Sequence, residues 1–352
     1  MDIESVIKVL LPFTVAFFLG IAGTPFLTHY LYKYKLWKKT ARNKGLGGGG
    51  TPLFHKLHKK KETSVPRMGG VIIWVSATAT ILFFWFLYKT APLPITEKLN
   101  FLSRNQTWLP LATLIIASLV GLIDDFLVIF GKGGYIAGGL SLRTRIVLVL
   151  LIGAAGAWWF FAKLDVSSVL LPFIGEVEIG ILFIPFFMLT MLAVFSGGVI
   201  DGIDGLAGGV MVSAFLAYAG IAFFQNQIDL AAFSASIAGG TLAFLWFNIP
   251  PARFYMSETG MLGLTTTLTV IAFLTKEVLV LPLIAFPLFA ASASDIIQVV
   301  SKKLRGGKKV FLIAPIHHHF EAMGWPPEKV TMRFWVIGGV MAILGMILAL
   351  IS

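Results

Sequence analysis

Long unbroken apolar runs, rather than alternation of apolar and polar positions, organise this chain. They lie near 5–32, 68–88, 107–123, 144–162, 180–196, 205–224, 230–247, 260–275, 278–301 and 332–351. A helix of about 20 apolar residues crosses the roughly 30 Å of hydrocarbon in a bilayer. A membrane β-strand would alternate every second residue, so these runs predict helices and not a barrel. The pattern predicts an all-α polytopic membrane protein with about ten transmembrane helices. They form one integral-membrane domain over 1–352, with a flexible basic loop at about 34–66. Asp2 and Glu4 precede the first run, which lacks a basic leader and is too long for a signal's apolar core. It is expected to be a span.

Composition agrees with this picture. Hydrophobic residues make up 57% of the 352 positions and charged residues 13%, against about 25% charged in soluble domains. Cysteine is absent, which excludes disulfide scaffolds, thiolate zinc sites and cysteine nucleophiles. Ten spans divide the loops into two sets. The set formed by 33–67, 124–143, 197–204, 248–259 and 302–331, with flanking residues, carries 22 of the 28 Lys and Arg and 9 of the 17 Asp and Glu. Its net charge is +13 and that of the other set −2, which accounts for the +11 of the chain. By the positive-inside rule the first set is cytoplasmic and both termini are extracytoplasmic. Nucleic acid is not needed to explain the basic balance. The loop 33–67 has eleven Lys and Arg against Glu62 alone. Its tract Gly45 to Gly50 is followed by no Lys-Ser/Thr, so it is not a phosphate-binding P-loop. It reads as a solvated cytoplasmic loop, or as an attractor of anionic headgroups or an anionic substrate. No internal repeat of the kind that builds transporters is visible.

The unusual polar residues cluster at the cytoplasmic helix ends: Asp124 and Asp125, Asp201 and Asp204, Glu258, and His317, His318 and His319. A transporter would place them nearer the bilayer midplane. Asp124 and Asp125 close the third run, where acids oppose the helix dipole. Local stability does not favour them there, and the pair suits binding of a hard divalent ion or activation of a nucleophile. Asp201 and Asp204 stand where the sixth helix begins, so capping competes with a site role. Glu258 has the same ambiguity ahead of the eighth. Three consecutive imidazoles diverge too much to ligate one metal from a regular element. One or two of them can contact a phosphate or act as acid or base.

Several segments together resemble one family. They are Pro66-Arg67-Met68-Gly69-Gly70, Gly121 to Asp125, Asp201-Gly-Ile-Asp204-Gly-Leu-Ala207, Trp246-Phe247-Asn248, Ala314-Pro315-Ile-His317-His318-His319-Phe320-Glu321, Gly324-Trp325 and Arg333-Phe334-Trp335. Their order is similar to that in the phospho-N-acetylmuramoyl-pentapeptide transferases. These are a branch of the polyprenyl-phosphate N-acetylhexosamine-1-phosphate transferases (glycosyltransferase family 4). The resemblance implies ten transmembrane helices, a cytoplasmic active site in the plasma membrane and a tendency to dimerise. It also implies the reaction. UDP-N-acetylmuramoyl-pentapeptide gives its phosphosugar to undecaprenyl phosphate, forming lipid I and UMP for peptidoglycan, with Mg²⁺.

Carried over residue by residue, the resemblance makes Asp124, Asp125 and Glu258 the catalytic candidates. Asp124 would orient or deprotonate the lipid phosphate, and Glu258 stands where the family ligates Mg²⁺. Asp201, Asp204, Asn248, Gln298, His317, His318 and His319 are the candidates for substrate binding. The run 278–301 holds Pro282 and Pro287 and matches a helix that the family bends. The chain also departs from the pattern. Glu258 replaces the family's aspartate, Gly198 an asparagine and Arg67 a threonine. Val128 replaces a lysine whose charge Lys132, Arg143 or Arg145 could restore. The alternatives are a related UDP-N-acetylhexosamine transferase, or a membrane transporter or scaffold without enzymatic activity.

Overall fold

The computed structural model describes residues 3–39, 63–104, 106–132 and 138–352. The tract Gly45 to Gly50 and most of the basic loop lie outside the described residues. Helix dominates: α1 (Ile3–Lys33), α2 (Val71–Thr90), α3 (Pro94–Leu99), α4 (Trp108–Ile129), α5 (Leu142–Lys163), α6 (Phe183–Ser196), α7 (Leu206–Phe224), α8 (Ile228–Asn248), α9 (Ser257–Leu274), α10 (Leu281–Ile284), α11 (Phe286–Leu304), α12 (Ile316–Ala322) and α13 (Pro327–Ile351). A short antiparallel hairpin, β1 (Ser168–Leu171) with β2 (Gly175–Glu178), links α5 to α6.

Among the described residues nine helices are long and apolar enough to cross a membrane. They correspond to the first eight runs and the last, and the chain is a multi-pass membrane protein. The run 278–301 is divided instead. The chain breaks at Ala285 between α10 and α11, where Pro287 lies in the first turn of α11. Proline has no N–H to give to the preceding turn, which weakens the helix at this point, although α1 runs unbroken through Pro12 and Pro25. Beyond the break α11 carries Asp295, Gln298, Lys302 and Lys303, and is too polar to count as a span. Two further differences bear on function. Helix α4 continues to Ile129, so Asp124 and Asp125 lie within it and do not close it. The histidine run is helical, in α12, and not a loop.

Helix α8 is enclosed by α1, α2 and α7. Its small residues Ala231, Ala232, Ala235, Ala238 and Gly239 let those neighbours approach closely. Helix α9 packs along α4 and is the most deeply buried of the candidate spans. Three of its threonines are satisfied within the helix: Thr265, Thr266 and Thr269 donate to the carbonyls of Met261, Leu262 and Thr265. The far end of α9 is closed by the turn between α7 and α8, because Gln225 and Gln227 donate from Nε2 to the carbonyls of Thr275 and Leu274. Phe160, Phe183, Phe187 and Phe273 fill the junction of α5, α6 and α9, with ring centroids 4.4–6.2 Å apart. These contacts fix the depth and rotation of α9, and its first turn carries Glu258.

Candidate functional site

Helices α4 and α9 meet at a glycine. A Cβ on Gly121 would stand 2.3 Å from the carbonyl oxygen of Glu258, so only glycine lets the last turns of α4 lie on the first turn of α9. This crossing brings Asp124 and Asp125 beside Glu258.

Two carboxylates from elsewhere in the chain cap α9. Asp201 accepts the N–H of Ser257 on Oδ2 at 2.9 Å. Asp125, fully buried, accepts the N–H of Thr259 on Oδ2 at 3.0 Å. Negative charge at a helix N-terminus satisfies orphan amides and opposes the positive end of the dipole. Asp201 is therefore a cap, but of a helix 56 positions later and not of the one it precedes. The other oxygen of Asp125 accepts from Nε and Nη2 of Arg67 at 3.1 and 3.0 Å. Burial pulls the Arg67 guanidinium down, yet Asp125 beside it outweighs this and holds it above its ordinary value. Burial pushes the Asp201 carboxyl up to about 6. The Ser257 amide and Arg67 oppose that shift, while Glu258 and Asp204 add to it.

Arg145 joins Asp124 to Glu258. Its Nη2 donates to Oδ2 of Asp124 at 2.8 Å and its Nη1 to Oε1 of Glu258 at 2.5 Å. The other oxygen of Asp124 accepts the N–H of Leu140 at 2.5 Å. Of the three cations that could replace a lysine at Val128, Arg145 is the one beside Asp124 and Glu258. These three side chains line a small cleft whose other walls include Leu140, Phe195 and Leu262.

Asp204 and Asn248 act on the backbone around the site. Asp204 accepts the N–H of Ala252 at 3.3 Å. Asn248, buried, accepts the N–H of Gly205 at 2.9 Å and donates to the carbonyl of Phe254 at 2.8 Å. Both ends of its amide are thus committed, and its part is to tie the 201–205 turn to the 249–256 segment. The same segment receives the start of α2, where Gly69 and Gly70 donate to Tyr255 and Met256.

The histidines reach the same place from α12. Gly202 lies between Asp201 and Asp204, and a Cβ there would stand 2.6 Å from Nε2 of His318 and 2.8 Å from Nε2 of His317. His318 is oriented from behind by Glu321, whose Oε2 lies 2.5 Å from Nδ1. His317 and His318 are buried. His319 turns away, and its Nδ1 accepts the N–H of Leu312 at 3.1 Å. Gln298 also serves backbone: it accepts from Val310 and Phe311 and donates to the carbonyl of Phe311. Ser294 accepts the N–H of Ile316 at 2.8 Å and so seats α12 on α11. Asp124, Asp125, Asp201, Asp204, Glu258, His317 and His318 therefore gather at one end of the molecule, while Asn248 and Gln298 brace it. The sequence reading did not single out Glu321 as a partner of His318, although an i, i+3 pair on one helix face was a signal available to it.

Among the described residues no three His, Asp or Glu side chains form a ready metal shell. Mg²⁺ does not require one, since it commonly takes one or two carboxylates with phosphate oxygens and water. Asp124 and Glu258, within reach of a single guanidinium, are hard oxygen donors of that kind, and the donor set fits the ion.

The model of glycosyl transferase family 4 matches residues 107–276, which span α4 to α9. A phospho-N-acetylmuramoyl-pentapeptide-transferase of Listeria innocua is 33% identical over 335 residues, 94% of this chain and 95% of its own length. Proteins with the same name from Caldanaerobacter subterraneus and Thermoanaerobacter pseudethanolicus are 33% and 34% identical, each covering 95% of the relative and 95% or 94% of this chain. With that coverage and identity, the chain belongs to the phospho-N-acetylmuramoyl-pentapeptide-transferase family.

Proposed function

We propose that the chain transfers phospho-N-acetylmuramoyl-pentapeptide from its UDP conjugate to undecaprenyl phosphate, giving lipid I and UMP at the cytoplasmic face of the plasma membrane. One observation carries the reading: Asp124 and Glu258, from different helices, meet on Arg145 at a cleft with apolar walls. A phosphate borne on a lipid needs an apolar approach and a charged end, and this cleft offers both. The relatives' shared name supports the donor, and the +13 against −2 charge asymmetry supports the membrane side.

In this reading an oxygen of the lipid phosphate attacks the sugar-side phosphorus, and the bond from that phosphorus to the UMP oxygen breaks. Both partners are anions, so the protein must offset their repulsion as charge builds. Asp124 orients the attacking phosphate. Arg145 and Arg67 bring positive charge, and the Nε2 atoms of His317 and His318 face the turn that bears Asp201. Asp125, Asp201 and Asn248 hold these groups in register. Glu258, with Asp124 beside it, would hold Mg²⁺, which would supply further neutralisation of phosphate charge.

The test is release of UMP by the purified protein from UDP-N-acetylmuramoyl-pentapeptide with undecaprenyl phosphate. Turnover is expected with Mg²⁺ and not with EDTA. Turnover with UDP-N-acetylglucosamine alone would assign the related sugar transferases, and none with either donor would reject the reading. The absence of native cysteine makes topology directly measurable. A single cysteine at Ser352 should react with an impermeant maleimide from the outside of intact cells, and one at Gly306 only after lysis.

A further inference from the structure

Arg145 bridges the two carboxylates that the proposed cation would use. Its two terminal nitrogens are shared between oxygens of Asp124 and Glu258, at 2.8 and 2.5 Å. The Asp124 side chain is 3% exposed and that of Arg145 19%, so water screens the contact poorly. The arginine is also firmly placed. It lies in the first turn of α5, which Ser141 caps by accepting the N–H of Thr144 at 3.1 Å. Leu140, just before that cap, donates its N–H to Asp124. A guanidinium stays charged at any physiological pH and cannot leave by losing a proton. A divalent cation on these carboxylates would sit beside it and be repelled, strongly so at a site of low effective dielectric. The conflict ends when the guanidinium is given another anion, and a diphosphate accepts its two parallel N–H donors well.

We infer that Arg145 is a built-in counter-ion for the Asp124–Glu258 pair. It keeps the divalent-cation affinity of the substrate-free protein low and couples cation binding to binding of a nucleoside diphosphate. The inference rests on the proposed transferase reading. The coupling is reciprocal: a diphosphate that draws Arg145 away raises cation affinity, and the cation raises diphosphate affinity by the same factor.

Mn²⁺ binding to the full-length protein in detergent, followed by electron paramagnetic resonance with and without UDP, tests this without any turnover. In the wild type UDP should tighten Mn²⁺ binding by about tenfold or more. Arg145→Gln should bind Mn²⁺ about tenfold more tightly than wild type without UDP, and should lose most of the UDP effect. Arg145→Lys keeps the charge, and its Mn²⁺ affinity without UDP should stay near that of the wild type. If Arg145→Gln binds Mn²⁺ no more tightly than wild type, while wild type with UDP does bind it, the counter-ion role is overturned and the transferase reading stands. If no form binds Mn²⁺ even with UDP, the metal assignment falls together with the inference.

Discussion

The carboxylate of Asp201 accepts the backbone N–H of Ser257 at 2.9 Å, so α9 begins where a turn 56 residues earlier permits. Ser257 has φ of +61°, in the left-handed region that side chains other than glycine seldom adopt. Its hydroxyl is buried without a hydrogen-bond partner. Glu258 follows directly, so the position of this candidate ligand depends on a strained residue that Asp201 holds in place.

Ser257→Gly should therefore stabilise the protein. Glycine takes positive φ without the steric cost, about 1–2 kcal/mol for an L-residue, and keeps the N–H that Asp201 accepts. It also removes an unsatisfied buried hydroxyl. The thermal midpoint in detergent, read by tryptophan fluorescence, should rise by a few degrees. A fall would show that Ser257 makes a contact worth more than the strain.

Asp201 gives a pH dependence of defined sign. Burial raises its carboxyl from 3.8 to about 6, so between these values the folded protein keeps a proton that the unfolded chain has released. Its contribution to stability is complete below pH 3.8, is lost as pH rises through about 6, and is constant above that. Asp201→Asn retains an oxygen for the Ser257 amide but does not titrate. The wild type should lose thermal stability across this window more steeply than Asp201→Asn. Parallel curves would exclude Asp201 as the source.

Asp125 and Arg67 should behave as a unit. Asp125→Asn turns an amide NH₂ towards either the Arg67 guanidinium or the Thr259 N–H, both donors. Breaking a buried charged pair from one side costs roughly 3–5 kcal/mol. Arg67→Met should also destabilise, and the double variant should lose less than the two singles together. Strict additivity in urea or thermal unfolding would show that the pair is not coupled.

For catalysis, Asp124→Asn and Glu258→Gln should each lower UMP release by about 10²-fold or more while the protein remains folded, with Asp124→Asn the less stable of the two because Asp124 is buried against Arg145. Glu258→Asp, which keeps the charge and hard oxygens, should retain activity. Full activity in Glu258→Gln would remove Glu258 from the metal role.

The sequence determined the membrane class, the spans and the set of acids and histidines to watch, because these depend on local composition. Apolar runs of bilayer length state their own structure, and 5–32 and 205–224 match α1 and α7 to within two residues at each end. Two errors were local as well. Asp124 and Asp125 ended a run of apolar residues, yet α4 continues through Ile129 because Val128 and Ile129 are buried in the protein. The run 278–301 was expected as one bent span, but the chain breaks at Ala285 beside Pro287, a feature that apolar content does not register.

Which acid does what was decided only by tertiary structure. Asp125 and Asp201 both cap α9 from outside it, Asp124 and Glu258 share Arg145, and Asn248 and Gln298 spend their amides on backbone. No local pattern contains these pairings, because they join helices, turns and loops that only the folded chain brings together. Arg145 shows the difference most clearly. In the sequence it was one of three cations near a missing lysine. Its role beside two carboxylates follows from the crossing of α4 and α9 at Gly121, a close approach that exists only in the folded chain.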